Sequence, residues 1–366
     1  IAGNFTNYSS TSRNRIARLN TNGTLDNSYN PGTGFNSSVY GIDIRPDDKI
    51  VAVGAFTLFN GVVRERMARL KTNGSLDSSF LPGFGFDNTV YSLALMNNGN
   101  IVAGGDFGYF SGIVRNKVAM VDANGSLITT FNPGGGFNSV VYALHAQVDG
   151  KVLAGGSFST YKGNSTNKII RLDSIGNKDT TFITGTGFGS SGGFVVYSIQ
   201  TYPDGRIVTG GEFSEYDGIS RNRIVRLFPD GKVDLSLNMY TGFNGTVKSI
   251  VVQQDGKILV GGDFRVVNGV VYSGIARLHR DGSLDPTFKT GTGINYNVAY
   301  TGVHALLIQP DGKIIVGGNF FDYNGNSARG LMRLYPNGTL DTSFNAGTGV
   351  GAGAIYQMVL QNDGKI

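Results

Sequence analysis

Few side chains in this 366-residue sequence could do chemistry. There are three histidines, His145, His279 and His304, and no pair has the short spacing of a metal ligand set. Cysteine is absent, which excludes disulfides, thiolate nucleophiles and thiolate metal sites. No nucleophile elbow or related hydrolase motif occurs. Most aspartates fall in Asx-Gly turns or at one fixed position of a repeat. A pair of glycosidase carboxylates would therefore have to arise by convergence in space. The turns also lack the clustered oxygens of an EF-hand loop. The sequence thus predicts no metal, no cofactor and no catalytic residue.

One charged pattern does recur. An arginine is followed eight residues later by an aspartate: Arg18/Asp26, Arg69/Asp77, Arg171/Asp179, Arg226/Asp234, Arg277/Asp285 and Arg333/Asp341. At the third of seven equivalent places the sequence has Met120 and Ile128, so both members change together. Joint replacement points to a structural ion pair rather than a ring of ligand-binding charges.

A second series breaks its own rule. The positions Tyr40, Tyr91, Tyr142, Tyr197, Lys248, His304 and Tyr356 are equivalent, and only Lys248 and His304 depart from tyrosine. His304 also follows the longest connecting loop. A ligand or partner contact is therefore expected from Tyr240, Lys248, Tyr296, Tyr300 and His304. The competing expectation is that the tyrosines pack between repeat units and the two exceptions are neutral drift. Basic loops such as Arg13–Arg15, Arg64–Arg66, Arg115–Lys117 and Arg221–Arg223 follow aromatic residues. They suit acidic glycans or protein surfaces, or else anchor themselves by side-chain hydrogen bonds to neighbouring blades.

These residues must be positioned by repeated elements. A Gly-x-Phe phrase places phenylalanine at 5, 56, 107, 158, 213, 264 and 320, every 51 to 56 residues. Each unit holds four short segments rich in β-branched or aromatic residues. They are exemplified by Val90–Met96 (A), Asn100–Phe107 (B), Arg223–Phe228 (C) and Ser75–Phe80 (D). Asn-Gly and Asp-Gly turns link A to B and C to D, and these dipeptides supply the positive φ of tight hairpins. No apolar period of 3.6 residues is sustained, so helix is not expected. Seven such units describe an all-β, seven-bladed β-propeller with four antiparallel strands per blade. One blade would combine strands B, C and D from the N-terminus with strand A from the C-terminus, which removes free sheet edges. The whole chain, residues 1–366, is read as one such domain. It opens and ends inside a repeat phrase, so a longer natural protein is expected. The uniform A–B and C–D turns read as scaffold, and the variable B–C and D–A loops as the face where function sits.

The unit "DGKIIVGGNF…RLYPNGTLDTSFNAGTG" resembles the delta-60 repeat, a β-propeller repeat of bacterial proteins, and the resemblance covers the whole chain. It implies an exported module of the surface or outer membrane of Gram-negative bacteria, and it brings no reaction and no catalytic residues.

Composition narrows the choice further. The net charge of +5 is scattered, without the basic stripe of a nucleic-acid binder. No apolar run reaches the ~18 residues that span a bilayer. The reading is a non-enzymatic, exported binding or scaffold module for a surface protein or a glycan, serving adhesion or docking. The first alternative is an accessory subunit docked on an outer-membrane secretion or surface machine, such as type IX secretion. The second is a lyase or glycosidase with its site on the loop-rich face.

Overall fold

The structure is a computed structural model and describes residues 1–189, 193–295 and 302–366. It is a seven-bladed β-propeller, and no helix occurs among the described residues. Strand A is the innermost element of each unit: Val39–Ile44, Val90–Leu95, Val141–Ala146, Val195–Thr201, Val247–Val252, Gly302–Ile308 and Ile355–Gln357. In six units it heads an antiparallel A-B-C sheet, as in Val39–Ile44, Ile50–Gly54 and Met67–Leu70. The fourth strand, D, is short. It joins strand C through a single bridge in each unit, such as Leu70 to Leu76 or Leu278 to Leu284. The B–C connection folds into a small hairpin of its own, such as Leu58–Phe59 against Val62–Val63.

The two ends of the chain meet. Ala2 and Gly3 pair with Gln357 and Ile355. Leu19 and Ile366 exchange backbone hydrogen bonds of 2.7 and 3.0 Å. The seventh unit also touches the first, since Arg333 Nη1 donates to the Thr21 carbonyl at 2.7 Å.

The core lies between blades. Strand B is buried on both faces, so it reads as a continuous apolar run rather than an alternation. Around Ile258 and Val260, for example, pack Val208 and Ile224 of the preceding blade together with Val247, Phe264 and Leu278. Aromatic pairs fasten five of the connectors to the next blade, such as Phe35 with Phe56 at 4.3 Å and with Phe59 at 4.7 Å, and Ile294 and Val350 take that place in the other two.

The Gly-Gly of strand B does two different jobs. A Cβ on Gly104 would lie 2.6 Å from Val141 Cγ1 of the next blade, so the first glycine sets how closely blades approach. A Cβ on Gly105 would strike the Thr89 carbonyl of its own strand A, and Gly54, Gly156 and Gly211 meet strand A in the same way. The second glycine therefore makes room for a distortion of strand A, and that distortion positions the site.

Candidate functional site

The register between strands A and B slips by one residue in all seven units. The residue left over is Tyr40, Tyr91, Tyr142, Tyr197, Lys248, His304 or Tyr356. Each is the extra residue of a β-bulge, a device that re-aims a side chain out of the strand's alternation. The seven converge on the axis. Neighbouring ring centroids lie 4.9 Å apart for Tyr40–Tyr91, 5.0 Å for Tyr91–Tyr142 and 5.4 Å for Tyr142–Tyr197. Tyr40 and Tyr356 follow at 5.2 Å, and His304 meets Tyr356 edge-on at 5.5 Å. The tyrosines thus pack ring against ring with those of adjacent blades, and at the axis the seven residues form a collar around a cavity of about 260 Å³.

Lys248 and His304 share this collar, so two of the five expected contact residues come together. Lys248 Nζ lies 2.7 Å from Asp263 Oδ2. Burial, reinforced by the Lys248 charge, pushes His304 down to about 3, so the imidazole is neutral at physiological pH. Burial raises the phenols of Tyr91, Tyr142 and Tyr356, and it raises Tyr197 to about 12, with Glu212 and Asp263 adding to the shift. Among the described residues none of the five collar hydroxyls has a hydrogen-bond partner, and none is sealed from solvent.

Tyr240 stands elsewhere. It is 77% exposed on the D–A connector and has φ of 40°. Six other units place glycine there, Gly32, Gly83, Gly134, Gly185, Gly291 and Gly347, all with positive φ. Tyr296 and Tyr300 lie outside the described residues. The basic B–C loops anchor themselves on their own blades. Arg15 Nη1 donates to the Phe5 carbonyl at 3.2 Å and Arg223 Nη1 to the Phe213 carbonyl at 2.9 Å, while Lys117 Nζ reaches Asp106 at 3.0 Å.

The Arg–Asp pairs lie at the blade joints. Arg Nε to Asp Oδ2 distances are 2.7 or 2.8 Å in all six. A third member was not foreseen. The basic residue of each A–B turn also reaches the same carboxylate: Lys365 to Asp26, Lys49 to Asp77, Lys151 to Asp179, Arg206 to Asp234, Lys257 to Asp285 and Lys313 to Asp341, at 2.9 to 3.2 Å. In the third unit that residue is Asn100, whose amide faces Met120 Sδ at 3.8 Å. All three members therefore change together, and the covariation with the "DGK" lysine was present in the sequence. Each arginine also donates to a carbonyl of the next blade, as Arg18 does to Thr72 and Arg171 to Pro229.

The loop face carries further exposed groups that the sequence did not single out. Phe84 is 86% exposed at a connector position that is threonine in five units and glycine in one. The B–C hairpins on either side of this connector in the chain carry the exposed residues Val62, Val63, Tyr109, Ile113 and Val114. Ser111, at the tip of the hairpin carrying Tyr109, donates to the Pro82 carbonyl at 3.0 Å. A cavity of about 700 Å³ opens on the turn face, lined largely by aliphatic groups such as Val251, Leu307 and Leu360. No three His, Asp or Glu side chains come together as a metal site among the described residues.

The sequence matches the "Domain of unknown function (DUF5122) beta-propeller" family in seven segments: 1–29, 45–80, 97–131, 147–182, 203–237, 253–288 and 309–344. The chain belongs to that family of propeller repeats. No curated protein matches it. Among solved structures it is similar to a streptogramin B lyase, with 15% identity and a TM-score of 0.49 over 85% of this chain and 83% of that one. Virginiamycin B lyase from Staphylococcus aureus gives 13% identity and a TM-score of 0.49 over 83% of each chain. The extracellular domain assigned to the hybrid two component system BT3049 of B. thetaiotaomicron gives 14% identity and a TM-score of 0.40. That match covers 82% of this chain and 33% of that one.

Proposed function

We propose that the protein is a non-enzymatic binding or scaffold module of the bacterial surface or envelope, and that it holds a protein partner on its loop face. One observation carries this. The two most exposed aromatic side chains among the described residues, Phe84 and Tyr240, sit on D–A connectors where the other units have threonine or glycine. Neither ring supports the fold, and Tyr240 holds a left-handed backbone conformation that costs a non-glycine residue about 1–2 kcal/mol. Strained, exposed and aromatic residues fit a contact surface. Export rests on the resemblance to delta-60 repeats.

The test returns each residue to the repeat's own choice. Phe84→Thr and Tyr240→Gly leave the melting temperature unchanged or higher. The double variant, as affinity bait on envelope extracts, loses a partner that the wild type captures. A double variant that captures the same proteins as the wild type would overturn the loop-face reading. Cell fractionation tests export directly, and a purely cytoplasmic protein would sink that part.

A further inference from the structure

We infer that the axial collar is a binding site for a single neutral sugar ring, such as the terminal residue of a glycan entering from the loop face. Size is the first argument: the collar cavity is about 260 Å³, which suits one pyranose with a few waters rather than a folded segment of protein. Its chemistry is the second. Five phenols from Tyr40, Tyr91, Tyr142, Tyr197 and Tyr356 line it, and a phenol both donates and accepts, as sugar hydroxyls require. None of those hydroxyls has a partner among the described residues.

The remaining lining mixes aliphatic side chains such as Ile42, Leu144 and Leu306 with the polar Ser249, Gln200 and Gln357, and what it shows to the cavity is mainly polar. A pyranose edge, ringed with hydroxyls, meets such a surface with hydrogen bonds all round. Charge argues against an ion. Lys248 is neutralised by Asp263 at 2.7 Å, Lys117 and Asp106 pair at 3.0 Å nearby, and His304 carries no charge at neutral pH. An anion would have to compete with Asp263 for the one ammonium in the ring. The seven side chains come from seven blades through seven bulges, so the site is preorganised by the scaffold and not by a loop. It is separate from Phe84 and Tyr240, so this inference and the loop-face reading fail independently.

Methyl glycosides of D-glucose, D-galactose, D-mannose and N-acetyl-D-glucosamine are suitable probes. Saturation-transfer difference NMR on the intact chain would show transfer to at least one of them. Tyrosine emission reports binding without interference, because the chain has no tryptophan. Tyr91→Phe and Tyr142→Phe keep the rings and remove two hydroxyls. Each weakens the bound glycoside by about threefold to tenfold, the usual effect of one lost hydrogen bond. Melting temperatures check that both variants fold. Should either fail to fold, His304→Tyr, which restores the repeat's own residue, is used in its place and changes which glycoside binds best. No transfer to any of the four at tens of millimolar, or affinity indifferent to these substitutions, would overturn the inference.

Discussion

Asp285 gives the sharpest test of what holds neighbouring blades together. Its carboxylate is fully buried. It accepts from Arg277 Nε at 2.8 Å, from the Thr287 amide at 2.9 Å and from the Thr287 hydroxyl at 2.6 Å, and Lys257 Nζ lies 3.2 Å away. Arg277 is itself 6% exposed, stacks on Phe288 at 4.8 Å and donates to the Pro336 carbonyl of the next blade. Asp285→Ala leaves a buried guanidinium and an ammonium facing a cavity. Removing one partner of a buried pair costs about 3–5 kcal/mol. The third unit shows how the same place is filled without charge, by Asn100, Met120 and Ile128, with Met120 buried among Val118, Phe131 and Val152. The triple variant Lys257→Asn, Arg277→Met, Asp285→Ile removes all three charges at once. Its main loss is the hydrogen bond to Pro336, on the order of 1–3 kcal/mol with the carbonyl left unpaired. Urea unfolding, read as the shift in midpoint at constant slope, measures both. The single substitution is expected to destabilise more than the triple. Equal losses, or a single variant costing under about 1 kcal/mol, would refute the idea that mutual contact keeps the three residues together.

Two further outcomes follow from the same geometry. Burial alone would raise the carboxyls of Asp26, Asp77, Asp179, Asp234, Asp285 and Asp341, but hydrogen bonds from the following Ser or Thr and the basic groups outweigh it and hold all six below the usual range, Asp234 at about 2. A carboxylate with a folded pKa below its unfolded value of about 3.9 stabilises the fold above that pH and ceases to as pH falls through the folded value. His304, held neutral with a folded value of about 3 against about 6.5 unfolded, already lowers stability as pH falls below ~6.5, and the six carboxylates add a steeper fall between ~4 and ~2; urea midpoints that stay level between pH ~4 and ~2 would contradict this. Gly156→Ala should lower the melting temperature more than Gly155→Ala. The first strikes the Val140 backbone carbonyl, whereas the second meets only side chains of Val196 and Ile199, a milder overpacking of about 1–3 kcal/mol. Ala2 and Val53 already occupy the position of Gly155 in other units. The reverse order of melting temperatures would mean that the bulge is not what requires the second glycine.

The fold was legible because each of its signals is local and repeated. Asx-Gly turns, β-branched runs and the Gly-x-Phe phrase each fix a strand or a hairpin, and seven copies average out the exceptions. Strand D was legible only in part. Its residues, such as Leu284 and Asp285, read as a strand, yet one bridge and the buried carboxylate hold it in place of a ladder. The hairpin inside each B–C connection was missed, since its two-residue strands are too short to show an alternation.

The collar shows why the site was harder to read than the scaffold. Period-two alternation along "VYSLAL" cannot say that Tyr91 leaves the pleat, because a bulge is a relation between two strands and not a property of one. The signal was in the partner strand. The second glycine of "GG" recurs in all seven units, while the first is Ala2 in one and Val53 in another. A position that never admits even alanine marks a backbone-to-backbone approach, whereas one that tolerates valine marks a side-chain fit. Reading strand B in this way would have located the bulge, and the bulge would have turned Tyr40, Tyr91, Tyr142, Tyr197 and Tyr356 from presumed packing residues into an axial ring. Lys248 and His304 then appear as members of that ring, and Tyr240 as a separate exception on its outer connectors.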